Sequence, residues 1–310
     1  MRIKKDSLFG LIVVSFLIFV VVFAIFKGSS ANKGTSASKI KTGDSISVIS
    51  LDGVIGESSN PLYASGSTIT VKEVKDLLKQ CESDPSKAVI IEINSPGGAV
   101  EPTQEIYGEI EQFKKKTSKK VYVWMRGMAA SGGYYISCAA DKIIAMPTTL
   151  TGSIGVIMEL VNYQGLLEKI GVKEVVIKSG KFKDMGSSVR PMTEEEKKMF
   201  QNLINETYKQ FFDTVQKARN IPADKLKEIA QGQVYTGIDA KRLGLVDATG
   251  NFQFVVDTIK KDLNIKGNPR IITHEVHRSI FSLLGEKSFV SQLSAIKGLK
   301  PMKLEYMLQP

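Results

Sequence analysis

Residues 88–94, Ala-Val-Ile-Ile-Glu-Ile-Asn, form an almost unbroken apolar run that constrains the fold more than any other stretch of this 310-residue chain. A strand with one wet face alternates apolar and polar residues, whereas a strand covered on both faces reads as a continuous run. Such a strand belongs to a parallel sheet packed between helices. The neighbouring sequence fits that expectation. Residues 45–55 read as a strand with a turn, and Val71, Val74, Leu77 and Leu78 share one helical face. After Pro96-Gly97-Gly98, Ile106, Ile110 and Phe113 predict a second helix, and strands at 121–125 and 142–146 flank a short helix from Ser131. Thr193 with Glu196 three residues on is a capping-box pattern. It opens a longer helix whose expected buried stripe is Phe200, Leu203, Ile204, Tyr208, Phe211 and Val215. Strands alternating with helices imply an α/β fold with parallel pairing and right-handed crossovers.

The ends differ from this body. Leu8 to Phe26 carry no charge, and as a helix these nineteen residues measure about 28 Å, close to the hydrocarbon thickness of a bilayer. The run exceeds the ~7 to 15 apolar residues of a cleaved signal peptide, so it is expected to be an uncleaved transmembrane anchor. Arg2, Lys4 and Lys5 before it favour a cytoplasmic leader and an extracytoplasmic body at the cell membrane, in a single pass. A Ser-, Gly- and Lys-rich linker follows, so residues 1–43 divide into leader, anchor and tether, 44–265 form the folded domain, and 266–310 form a basic tail. The net charge of +10 sits at those ends. Residues 1–43 hold seven Lys/Arg against one Asp, residues 266–310 seven against three Glu, and the body is neutral. That distribution argues against a nucleic-acid groove and for ends near an anionic lipid surface. With 43% hydrophobic and 24% charged residues, the chain is neither disordered nor polytopic. Cys81 and Cys138 lie in predicted helices and are expected to be buried thiols.

Three strand-end segments carry candidate chemistry. Asn94-Ser95-Pro96-Gly97-Gly98 follows the buried strand; its glycines either expose backbone N–H groups to an anion or form an ordinary turn. Ala129-Ala130-Ser131-Gly132-Gly133 is close to a Gly-x-Ser-x-Gly nucleophile elbow, though a serine at a helix start is equally an N-cap. A nucleophilic serine needs a base. The two histidines, His274 and His277, lie beyond the last clear element and lack the partners of a zinc helix motif, so surface or packing roles are expected and no metal or other cofactor is implied. A lysine is the remaining base, and it must be neutral, which requires its ordinary value near 10.4 to fall by about three units. Ser179-Gly180-Lys181-Phe182-Lys183-Asp184 supplies two lysines, which by themselves read as solvated loop charges.

Taken in order, Asn94–Gly98, Met128–Tyr135, Thr151-Gly152-Ser153-Ile154-Gly155-Val156, Gly180–Asp184, Arg190-Pro191-Met192-Thr193, Gly232–Gly237 and Gly244-Leu245-Val246-Asp247 resemble the signal peptide peptidase A family in its short, single-repeat bacterial form. The resemblance covers about residues 45–265. It implies a ClpP/crotonase-like fold and a membrane-bound serine endopeptidase with a Ser/Lys dyad that degrades remnant signal peptides and other hydrophobic peptides. By motif, Ser131 is the nucleophile, Lys183 the general base, Ser153 the group that orients the lysine, and the Gly98 and Gly132 N–H groups the oxyanion hole. Lys181 receives no role. Longer family members carry the unit twice and divide the dyad, so a single-repeat chain is expected to form a homo-oligomer, a ring, pairing Ser131 of one copy with Lys183 of the next. The fold leaves two other readings open, a crotonase-type acyl-CoA enzyme and a catalytically inactive membrane scaffold.

Overall fold

The computed structural model describes residues 44–57, 68–275 and 305–307. The apolar segment 8–26 and most of the basic tail, residues 276–304, lie outside the described residues, His277 among them. Among the described residues no helix is long and apolar enough to cross a membrane.

The central sheet runs in the order β10 (Ala248–Thr249), β7 (Lys142–Ala145), β6 (Lys120–Ala130), β4 (Ala88–Ser95), β1 (Ser45–Asp52) and β11 (Arg270–His274), and these neighbours pair in parallel. β8 (Leu150–Gly152) continues it along the end of β6 and pairs antiparallel with β9 (Val234–Thr236). The long apolar run is its centre. Because successive side chains point to opposite faces, Val89, Ile91 and Ile93 enter one core while Ala88 and Ile90 enter the other. The larger core is covered by α1 (Val71–Ser83), α2 (Val100–Thr117), α3 (Gly132–Ser137) and α5 (Glu194–Arg219), the smaller by α8 (Phe252–Asp262). α4 (Gln164–Lys169), α6 (Ala223–Ile229) and α7 (Gly237–Leu243) complete the helices described.

α5 starts where the capping box places it, with Thr193 accepting from the Glu196 N–H and the Glu196 carboxylate accepting from the Thr193 N–H. Its buried stripe differs from the expected one. Phe200, Phe211 and Val215 are inside, but Leu203 is 43% exposed and the inward line passes through Glu196 and Thr207 instead. Leu203 sits on the flank of that line. A Tyr107–Tyr135–Phe211 aromatic stack, with centroids 5.4 and 5.0 Å apart, wedges α3 between α2 and α5. Both cysteines are free and buried, and burial pushes both thiols up to about 12.

A second, small sheet runs β12 (Glu305–Met307), β5 (Gly97–Ala99), β2 (Val54–Ile55), β3 (Thr68–Ile69). Two strands thus come from the segment read as a basic tail: β11 extends the main sheet and β12 crosses beside the first Gly-rich segment. The reading as a tail missed both: β12 is only three residues long, and β11 has no partner run near it in sequence, although Gly267-Asn268-Pro269 punctuates the chain just before it.

Candidate active site

In α/β sheets, ligands gather at the carboxyl ends of parallel strands, and the Gly-rich segments stand there. β4 and β6 pair evenly from Ala88–Lys120 to Ile93–Met125, after which the register shifts and Ser95 faces Ala129. Asn94 holds this irregularity, its Oδ1 accepting the Met128 N–H at 3.2 Å while its Nδ2 donates to Asp52 at 3.1 Å. Bulges of this kind re-aim a chain next to active sites.

The last residues of β6 pair with β8, Ala130 opposite Gly152, so Ser131 and Ser153 are the next residues along two adjacent parallel strands. Both turn at positive φ, 51° and 50°. A non-glycine backbone there costs about 1–3 kcal/mol and persists only where the surroundings fix it. Here the Ser131 N–H donates to Gly152 O at 2.8 Å, the Ser131 carbonyl accepts the Tyr135 N–H at 2.8 Å, and the Ser153 N–H donates to Gln233 O at 2.7 Å. Ser131 stands at the N-cap of α3, yet its side chain makes no capping hydrogen bond. The hydroxyl is therefore not spent on the helix. Ser131 is 1% exposed, at the start of α3, which packs against β5.

Two glycines make that proximity possible. A Cβ on Gly98 would lie 1.9 Å from Ile55 O, so any side chain would force β5 off β2. A Cβ on Gly133 would sit 3.0 Å from Ser95 O, so α3 packs its backbone directly on the end of β4. The Gly97 N–H donates to Ser95 Oγ at 3.1 Å, which fixes the turn after β4. β5 is covered by β2 on one side; on the other lies β12, antiparallel, with Tyr306 opposite Gly98. β12 also lies against α3, the helix that begins beside Ser131.

The lysine segment is built differently. Residues 155–193 contain one short helix, α4, and Lys181 to Gly186 form a turn. Lys183 is exposed, and among the described residues it makes no hydrogen bond or ion pair with Ser131 or Ser153. Lys181 pairs with Glu195 and lies 5.0 Å from the Phe182 ring centroid. The chain thus brings Gly98, Ser131, Gly132 and Ser153 to neighbouring strand ends, while Lys183 is bonded to none of them among the described residues. Arg190, Asp184 and Lys178, which the sequence reading gave no role, tie the segment down together with the capping residue Glu196. Arg190 binds Asp184 through Nε at 2.9 Å and Nη2 at 3.0 Å, and binds Glu196 through Nη1 at 2.9 Å. The Arg190 hydrogen bond, then that of Lys178, holds the Asp184 carboxyl well below the usual range. The Glu196 carboxyl is brought down to about 2 by Arg190 and then by the Thr193 N–H. Arg-Pro-Met-Thr preceding a capping box was the available signal.

His274 is a packing histidine. Its Nε2 lies 2.6 Å from Asp84 Oδ2, and the ligand atoms of Cys81, Asp84 and His274 fall within 4.8 Å of one another. Asp84 is already occupied, however: Ser47 Oγ donates to it, the Ser86 N–H does so at 2.8 Å, and Lys119 Nζ at 3.1 Å. Burial opposes the charge on Asp84, and the hydrogen bonds of Ser47, Ser86 and His274 outweigh it. The cluster is a hydrogen-bonded clasp that closes β11 onto α1 and β1. The remaining motifs are structural as well. Tyr134 OH donates to Leu245 O at 2.8 Å, Asp247 accepts the Ile143 N–H at 2.7 Å, and Thr236 caps α7.

A buried serine on a strained strand-to-helix turn, flanked by glycine-rich strand ends, defines a hydrolase site on a parallel sheet, and residues 64–153 match the Clp protease family. The fold is ClpP-like α/β. Residues 113–266 match peptidase family S49. A protein of Methanocaldococcus jannaschii described as a protease is 39% identical over 230 residues, covering 71% of this chain and 73% of that protein. One of Enterococcus faecium described as a signal peptide peptidase SppA is 38% identical over 239 residues, 77% of this chain and 69% of its own length. The chloroplastic serine protease SPPA of Arabidopsis thaliana is 36% identical over 242 residues, 77% of this chain and 36% of that protein. The chain belongs to peptidase family S49 and is a serine peptidase of the SppA type.

Proposed function

We propose that this chain is a membrane-anchored endopeptidase that cleaves remnant signal peptides and other hydrophobic peptides with a Ser131/Lys183 dyad assembled between copies of itself. The observation that carries the reading is the Ser131 turn, where a non-glycine residue holds positive φ with its hydroxyl free of the helix it begins. In this reading Lys183 takes the Ser131 proton, the alkoxide attacks the scissile carbonyl, and the Gly98 and Gly132 N–H groups receive the negative charge that develops on its oxygen. The lysine then protonates the leaving amine, and water releases the acyl group by the same route. Ser153, one rung from Ser131, orients the lysine amine.

That the substrate is an extended peptide is supported by β5. A peptide adding itself to a strand edge gains main-chain hydrogen bonds that ignore its sequence, and the chain's own β12 pairs with this edge in antiparallel sense. Division of the dyad is supported by the lysine segment. Lys183 is exposed in its own protomer, so the burial that a neutral amine requires has to come from elsewhere. The stretch before it displays Val161, Leu166, Ile170, Val175 and Ile177, the last 97% exposed. Exposed large apolar side chains gathered in one stretch suit an interface, and repeated head-to-tail contacts close into a ring. The apolar residues 8–26 anchor the assembly, with the catalytic domain outside the cytoplasm.

Mixing subunits tests the reading. Ser131→Ala and Lys183→Ala should each lose activity by more than about 10³-fold while staying folded, and the mixture should regain part of it once subunit exchange is verified by labelled protomers. An intrachain dyad leaves every site with one defect and the mixture dead at all ratios. A serine-reactive fluorophosphonate separates the other readings: an acyl-CoA enzyme or inactive scaffold takes no label that depends on both Ser131 and Lys183.

A further inference from the structure

Beside Lys183 a set of ion pairs converges on Arg190. Its guanidinium lies between two carboxylates from different parts of the chain. Towards the lysine turn it holds Asp184 by Nε–Oδ2 at 2.9 Å and Nη2–Oδ1 at 3.0 Å, and Nη2 also donates to Asp184 O at 3.1 Å. Towards α5 it holds Glu196 by Nη1–Oε2 at 2.9 Å and by Nη2–Oε1, with a further bond from Nη1 to Pro191 O at 3.0 Å. Glu196 is 2% exposed and belongs to the first turn of α5, so this end of the bridge is fixed to the body. Lys178 adds a second cation on Asp184 Oδ1 at 2.6 Å. Lys181, two residues before Lys183, is engaged with Glu195. Backbone bonds close the turn itself: Lys183 N–H to Gly180 O at 3.1 Å, Met185 N–H to Phe182 O at 3.0 Å and Ser187 N–H to Asp184 O at 3.1 Å.

The function proposed above makes Lys183 a base, and a base must give up its charge. A free carboxylate on the adjacent residue favours the protonated amine, while a carboxylate already shared by an arginine and a lysine does so far less. Resting on that reading, we infer that Arg190 is a positioning residue for the general base, pinning the Lys183 turn to the start of α5 and cancelling the charge of Asp184 beside it. Arginine suits the task because its planar fork engages two carboxylates at once, which a lysine ammonium does with less directional control. Arg190 does not itself touch the reacting atoms.

The inference requires Arg190→Gln to raise the acid limb of the pH profile and Asp184→Asn not to raise it. kcat/KM of the full-length chain in detergent is measured on a short apolar fluorogenic peptide from pH 6 to 10, where the acid limb reports the base of the free enzyme. Arg190→Gln leaves Asp184 partly uncompensated, so the acid limb should rise by about one unit, with roughly tenfold lower activity at pH 7 that recovers at high pH. Asp184→Asn leaves the cations in excess, and the limb should stay or fall. The double variant should return the limb towards its original place, and Arg190→Lys should keep the limb while lowering kcat. A limb that is unmoved in folded Arg190→Gln, or that rises in Asp184→Asn, overturns the inference. Should Arg190→Gln not fold, Asp184→Asn decides by the direction of its shift. If Lys183→Ala retains activity, the dyad reading itself has failed; if it is dead and neither limb responds, only the role of Arg190 has.

Discussion

The serine half and the lysine half of this chain are built by opposite means. Ser131 and Ser153 sit at the ends of paired strands, and their positions follow from hydrogen-bond register and the aromatic wedge around α3. Lys183 sits in a segment with little regular structure, held by charges at the surface of α5. A nucleophile needs a fixed direction, which a sheet supplies within one protomer. A lysine base needs removal from water, and a loop flanked by exposed Val175 and Ile177 is suited to acquire it from a second copy. On the proposed reading, the difference teaches that a folded chain can hold a prepared nucleophile while its base is completed by a second copy.

If the serine half is rigid, it should be intolerant of small changes. Gly98→Ala places a methyl group 1.9 Å from Ile55 O, which no rotamer relieves, so β5 must shift. Loss of one oxyanion donor costs about 10²–10³-fold in kcat, and a loss of at least that size is expected while circular dichroism stays unchanged. Full activity would break the contrast, because β5 would then be as adaptable as the lysine segment.

A smaller effect concerns β12. Because it pairs with the edge of β5 that the peptide is proposed to use, the site is available only when β12 is displaced. Apparent affinity falls in proportion to the fraction available, so removing residues 301–310 should lower KM for a short peptide by roughly threefold to tenfold with kcat unchanged. An unchanged KM places the peptide on another edge. The smallest effect belongs to Lys181, which pairs with Glu195 at the surface. Exposed ion pairs are worth about 0–1 kcal/mol, so Lys181→Arg should leave activity within twofold. A large loss would show that the lysine segment is as finely fixed as the serine turn.

Much of the serine half was legible because its signals are local. The apolar run 88–94, the Gly-rich strand ends and the Thr193/Glu196 box each declare their element without reference to distant residues. Leu203 was misread since periodicity assigns a helical face but not the width of what covers it. β11 and β12 were not legible, because each gains its strand state from a partner at least two hundred residues away, β1 for one and β5 for the other.

The sequence by itself determined the α/β alternation, the two buried thiols and the order of the strand-end motifs, since burial periodicity and turn chemistry act over a few residues. The tertiary structure alone decided that Ser131 and Ser153 fall on neighbouring rungs, that the Ser131 hydroxyl is not a cap, and that Arg190 joins Asp184 to Glu196. Those facts depend on strand register and on side chains meeting across a turn. Both are fixed only when the whole core closes and one pairing excludes the others.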